Sequence, residues 1–158
     1  MSLNIRRVVT GHDASGRAVV AIDDLCRNVT SRRPQHESCV VWSSGAVPVD
    51  NSDAQDGALR EVASTDPQGT VFRIVQYGPG VAPRNHRTES VDYAVVMAGE
   101  IDMEIEGATV HLRQGDVLVQ RGTIHNWVNH GTAPCVIAFV LVAAKPVERA
   151  GMRLDASG

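Results

Sequence analysis

Apolar and polar residues alternate along much of this chain with a period of two. The clearest stretch is Glu100–Ile105, with Ile101, Met103 and Ile105 on one side and Glu100, Asp102 and Glu104 on the other. Successive side chains of a strand point to opposite faces, so this segment reads as a strand with one dry and one wet face. Further short runs rich in Val and Ile, bounded by Gly, Asn, Asp or Pro, read as strands at 5–10, 17–23, 39–43, 70–77, 91–97, 109–112, 117–120, 125–128 and 135–143. The last of these is apolar on both faces. It needs cover on both sides, by a barrel interior and by either the N-terminal strands or a partner subunit.

Turn signals fit the same picture. Residues 12–16 (HDASG) read as a hairpin loop and Glu106-Gly107 as a tight turn. No long helix is evident, and 58–63 suits a single helical turn. Many short strands at regular spacing predict an all-β sandwich or barrel. The division expected is an N-terminal β extension (1–45), a polar, turn-rich loop or lid (46–69), a barrel (70–144) and a C-terminal tail (145–158).

Composition narrows the function. A chain of 158 residues suits one domain with a real core. The net charge of −3 and the lack of a basic stripe argue against nucleic acid. No apolar run reaches membrane-span length, and the charged N-terminal segment has no apolar stretch behind it. The expected location is the cytoplasm. Cys26, Cys39 and Cys135 are too widely spaced for a disulfide framework or a zinc pattern, and Cys39 and Cys135 read as buried thiols.

Two segments carry candidate chemistry. Residues 80–99 read GVAPRNHRTESVDYAVVMAG, and residues 115–129 read GDVLVQRGTIHNWVN. Strand alternation places Asp92, Ala94 and Val96 on one face, and His125, Trp127 and Asn129 on one face. Inward faces of a small barrel converge, so His86, Asp92 and His125 are expected to meet. Gly80, Gly99, Gly115 and Gly122 suit turns with positive φ. Trp127 is either an aromatic pocket wall or core filler. Tyr93 points away from Asp92. Arg73 and Gln76 have opposite phase, so at most one faces the interior. An inward Arg73 would suit a carboxylate, although a surface position is the expectation. Arg84 and Arg121 are expected to be solvated near the barrel mouth, and His12, His36, His111 and His130 to be peripheral. No nucleophile triad or phosphate loop is present.

These two segments resemble the paired motifs of the cupin family. The first motif runs Gly80, His86, Thr88, Asp92, Gly99, with Thr88 and Asp92 where the family has histidine and glutamate. The second runs Gly115, Gly122, His125, Asn129, with Gln120 for the proline and a spacer one residue shorter. The resemblance implies a double-stranded β-helix, or jelly-roll barrel, with an N-terminal β extension, and pairing as a homodimer. It implies either one divalent metal (Fe, Zn, Mn or Ni) on His86, Asp92 and His125, a two-histidine-one-carboxylate set, or a metal-free pocket. Thr88, Trp127 and Arg73 are candidate ligand-binding residues, and His86 and His125 candidate catalytic ones. Three functions remain open. One is a metal-dependent dioxygenase, decarboxylase, lyase or isomerase acting on a small organic acid or aromatic compound. The others are a metal-free isomerase or dehydratase using His86 and His125 as acid and base, and a small-molecule sensor.

Overall fold

The computed structural model describes residues 3–158. In chain order the strands are β1 (Arg6–His12), β2 (Ala18–Leu25), β3 (Thr30–Arg33), β4 (His36–Ser44), β5 (Thr70–Tyr77), β6 (Ser90–Ala98), β7 (Glu100–Ile105), β8 (Ala108–Arg113), β9 (Val117–Arg121), β10 (His125–Val128), β11 (Cys135–Ala143), β12 (Val147–Arg149) and β13 (Met152–Leu154). A six-stranded sheet runs β3-β4-β5-β11-β6-β9 and a three-stranded sheet β10-β7-β8; β1-β2 and β12-β13 are separate hairpins. The all-β jelly-roll expectation holds.

Register decides what faces inward. On β5, Val71, Arg73, Val75 and Tyr77 lie opposite Leu141, Phe139, Ile137 and Cys135 of β11. Phe139 and Leu141 lie opposite Ala94 and Asp92 of β6, and Asp92 opposite Gln120 of β9. These rows form the barrel interior. Val71, Val75, Val96, Ile101, Met103, Trp127, Ile137 and Phe139 pack there as one core. Fully burying each such side chain contributes about 1.5–3 kcal/mol before the entropy of ordering is subtracted.

The opposite face of β5 and β11 carries Phe72, Ile74, Val136 and Ala138. It packs against Leu3, Ile5, Cys26, Val29 and Cys39. The N-terminal segment therefore supplies cover for the two-sided apolar strand β11. Strand β4 pairs with β5 from His36↔Tyr77 to Ser44↔Thr70, within the main sheet. Strands β3, β12 and β13 were not expected, because TSRR, VER and MRL lack the Val/Ile-rich alternation that marks the others. The helical turn is a 3-10 turn at Gly57–Leu59, capped by Asp56, whose carboxylate accepts from the Ala58 N–H.

Gly80, Gly99, Gly115 and Gly122 all have positive φ. At Gly99 a Cβ would also meet the Pro134 carbonyl oxygen at 2.5 Å, so the β6–β7 turn needs glycine for two reasons. Among the described residues no helix is long and apolar enough to cross a membrane.

Candidate functional site

His86 and His125 come together through the backbone. His86 sits outside the regular strands, but its N–H donates to the His125 carbonyl and its carbonyl accepts from the His125 N–H, both at 3.0 Å. That antiparallel bridge adds the 80s loop to the free edge of β10. Directly opposed residues share a face, and the two rings pack with centroids 4.1 Å apart. Asn126 braces the loop: its Oδ1 accepts from the Arg84 N–H at 2.8 Å and its Nδ2 donates to Glu104 at 2.9 Å.

Each ring has one nitrogen committed. His86 Nδ1 lies 3.1 Å from the Arg84 carbonyl, and His125 Nδ1 lies 3.0 Å from the Thr123 carbonyl, with the Gln120 amide against the same nitrogen. A carbonyl only accepts, and turning the Gln120 amide so that its otherwise partnerless Oε1 faces His125 makes that neighbour an acceptor too; both Nδ1 atoms then carry the hydrogen and both Nε2 atoms keep a lone pair. Burial, together with the Arg84 charge, lowers the pKa of both rings; for His125, with His86 beside it, the value falls to about 4. Both are neutral at neutral pH. Trp127 lies beneath, 2% exposed, stacked on Tyr77 and edge-on to His125 and Phe139. It is core filler that forms the floor of the site.

Asp92 is turned to other partners. Its carboxylate accepts from Ser90 Oγ and, at 3.5 Å, from Thr88 Oγ1, and the two hydroxyl oxygens lie 2.9 Å apart. Burial raises its pKa, with Ser90, Thr88 and Arg73 opposing the rise. Asn129, at the end of the second motif, is structural. Its Nδ2 donates to the Tyr77 and Ala133 carbonyls and its Oδ1 accepts from the Gly131 N–H, each at 2.9 Å.

Arg73 faces the interior, contrary to the surface position expected. Its register with Phe139 and Val40 puts it on the inward row with Val75 and Tyr77, and Gln76 takes the other face. The reason is phase: both neighbours of Arg73 in sequence are apolar, so local pattern does not set the side, whereas pairing on β11 does. His36 is likewise not peripheral. It pairs with Tyr77 across β4–β5 and packs edge-on against its ring at 5.6 Å. Burial, aided by Arg33, Arg73 and Arg84, lowers its pKa to about 4. Sequence reasoning missed His36, Tyr77 and Arg33. The usable signal was the β4 pattern, since extending that strand back to His36 places His36, Ser38 and Val40 on one face.

The fit of a divalent metal can be judged from these donors. Histidines anchored through Nδ1 on carbonyls, with Nε2 free, are what metal ligands require. The third ligand is missing. Thr88 occupies a histidine position and is tied to Ser90, and Asp92 is held by Ser90 and Thr88. Among the described residues no three His, Cys, Asp or Glu side chains converge on a common point for an ion. Arg33 and Arg84 add positive charge beside His86, and Arg84 beside His125. The residues present do not complete a site for a divalent cation. The expected meeting of His86, Asp92 and His125 is thus realised for the two histidines only. A surface cleft of about 870 Å³ lies elsewhere, between the β1–β2 hairpin and the loop around Asp50–Asp56.

Comparison with known proteins bears on identity. Residues 73–142 match the Cupin domain family. A phomopsin biosynthesis cluster protein C' of Diaporthe leptostromiformis is 39% identical over 94% of this chain and 83% of its own. The cupin-domain-containing oxidoreductase fogC of Aspergillus ruber is 33% identical over 94% of this chain and 77% of its own. An uncharacterized double-stranded β-helix protein of Klebsiella pneumoniae superposes with a TM-score of 0.52 at 18% identity, covering 74% of this chain and 84% of that one. The paired motifs, the jelly-roll sheets and these relatives agree, and the chain belongs to the cupin family.

Proposed function

We propose that this protein is a small-molecule enzyme in which the neutral His86–His125 pair moves protons to and from an organic substrate at the end of the barrel, with isomerisation or dehydration as the reaction class. The observation that carries this reading is the shared tautomer. Both rings are held through Nδ1–H on backbone carbonyls and both offer Nε2 as an acceptor. A general base needs a neutral ring with an available lone pair. Two rings in contact cannot both be charged without cost, so the pair exchanges one proton at a time. His86, the more exposed ring, takes the substrate proton, and His125 stays neutral beside it.

The relatives' names support small-molecule chemistry. One names a biosynthesis cluster and another an oxidoreductase. The second name favours a redox reading, for which the residues present offer no complete metal site. The reading includes a cytoplasmic location, supported by free thiols at Cys26, Cys39 and Cys135.

The test is hydrogen exchange. Chelator-treated protein is incubated in D2O with a panel of small carbonyl compounds, and deuterium uptake is read by mass spectrometry alongside elemental analysis. Uptake without metal, reduced about 10²-fold or more in His86→Gln and His125→Gln, is expected. Uptake that appears only after adding Fe, Zn, Mn or Ni replaces this reading with the metal-dependent one.

A further inference from the structure

The barrel end beside the histidine pair is rich in positive charge and poor in partners for it. Arg73 rises from the inward face of β5 between Val40 and Phe139. Its Nη2 donates to the Ala63 carbonyl at 2.7 Å, but its Nε is buried with no partner among the described residues. Arg33, paired with His36 at the β3–β4 turn, also has a buried Nε without a partner, and so does Nδ1 of His36. Arg84 reaches the same end from the 80s loop, where its Nη2 donates to the Gly158 carbonyl at 2.8 Å. Among the described residues none of these arginines forms an ion pair with Asp or Glu. They act electrostatically on His36 and Tyr77, and Arg33 and Arg84 act on His86 as well, which places them around one region.

A buried guanidinium N–H without an acceptor costs free energy, and clustered like charges add to that cost. Other arginines of the chain, Arg6, Arg7, Arg17 and Arg153 among them, do pair with carboxylates. Here the carboxylate that acts on Arg73, Asp92, is held by Ser90 and Thr88. An incoming anion would satisfy the orphaned donors and relieve the repulsion. We propose that this barrel end is a carboxylate-binding subsite anchored on Arg73 and flanked by Arg33 and Arg84, so that the substrate is an organic carboxylate. The guanidinium fork matches a carboxylate in two parallel bonds, and Phe139, Tyr77 and Val40 give the organic body an apolar wall. The inference rests on the barrel end being the substrate site, but not on the histidines acting as bases.

Calorimetric titration of the full chain at low salt with sodium benzoate, benzamide and phenyl phosphate tests it. Benzoate binding is expected, with benzamide, its uncharged counterpart, at least about tenfold weaker, since a charge-assisted pair contributes about 1.5–3 kcal/mol. Arg73→Gln should weaken benzoate by about tenfold or more and Arg33→Gln by less, with circular dichroism confirming the fold. Should Arg73→Gln not fold, Arg73→Lys and the salt dependence of benzoate binding to the parent serve in its place. His86→Gln and His125→Gln should bind benzoate within about threefold of the parent, so failure of the proton-transfer reading leaves this result standing. Absence of benzoate binding, equal affinity for benzamide, tighter binding of phenyl phosphate, or a folded Arg73→Gln that binds benzoate as the parent does would each overturn the proposal.

Discussion

Two arginines in this barrel, Arg7 buried and Arg73 half-buried, are treated in opposite ways. Arg7, 8% exposed, donates from Nε to Asp24 at 2.8 Å, and from Nη1 and Nη2 to Asp56 at 2.8 and 2.6 Å. It ties the β1–β2 hairpin to the loop carrying the 3-10 turn, and both carboxylates hold it firmly charged. Arg73, on the inward face of β5, has one carbonyl and an unpartnered Nε, and its burial works against its charge. A structural arginine is completed by the chain that contains it. One left incomplete on the inward face is where the proposed carboxylate would be received.

The largest effect should come from breaking the completed arginine. Asp56→Ala removes both bonds to Arg7 and the cap on the 3-10 turn, leaving Asp24 and the Val41 carbonyl against a buried cation. A loss of about 2–3 kcal/mol in urea unfolding is expected. Arg73→Met should do the reverse. Replacing an unpaired buried charge with an apolar chain of similar length should leave stability unchanged or raise it by about 1 kcal/mol. Equal losses at Asp56→Ala and Arg73→Met would erase the contrast.

Acid titration gives a smaller effect. His36 and His125 have folded pKa values of about 4 against an ordinary 6.5. Between those values the unfolded chain binds protons that the folded one refuses, so stability falls as pH drops from about 6.5 to about 4. Above that window both states are neutral at these residues. Asp92, raised by burial, opposes the trend, whereas Asp24 and Asp56, lowered by Arg7, lose their contribution only at more acid pH. Urea midpoints between pH 7 and pH 4 should decline, and His36→Gln should flatten the slope. The smallest effect belongs to Thr88→Ala. It removes a long 3.5 Å bond to Asp92 and should cost under about 1 kcal/mol while raising the Asp92 pKa further, readable by NMR titration.

Much of the fold was legible because its signal is local. The alternation in Glu100–Ile105 and the apolar run Cys135–Ala143 gave both strands with their observed ends. The histidine pair was legible too, because glycine spacing and strand phase bring His86 to His125. What stayed hidden depends on pairing between distant strands. A surface position was expected for Arg73; its flanks, Phe72 and Ile74, are both apolar and leave the side open, and registry with Phe139 on β11 turns it inward. His36 looked like a loop residue until its pairing with Tyr77 placed it on the interior row. Asp92 shares the expected face, yet Ser90, two residues earlier on that face, captures its carboxylate. Strand phase cannot report such a hydrogen bond.

The most direct test of the central account is nitrogen NMR of the imidazoles of His86 and His125 in protein labelled with ¹⁵N-histidine, recorded from pH 7 down to pH 5 with and without one equivalent of Zn²⁺. The account predicts neutral rings with hydrogen on Nδ1 at pH 7, His125 unchanged down to pH 5, and no stoichiometric response of the pair to zinc. A charged ring at pH 7, hydrogen on Nε2, or saturation of both Nε2 signals by one zinc would contradict it.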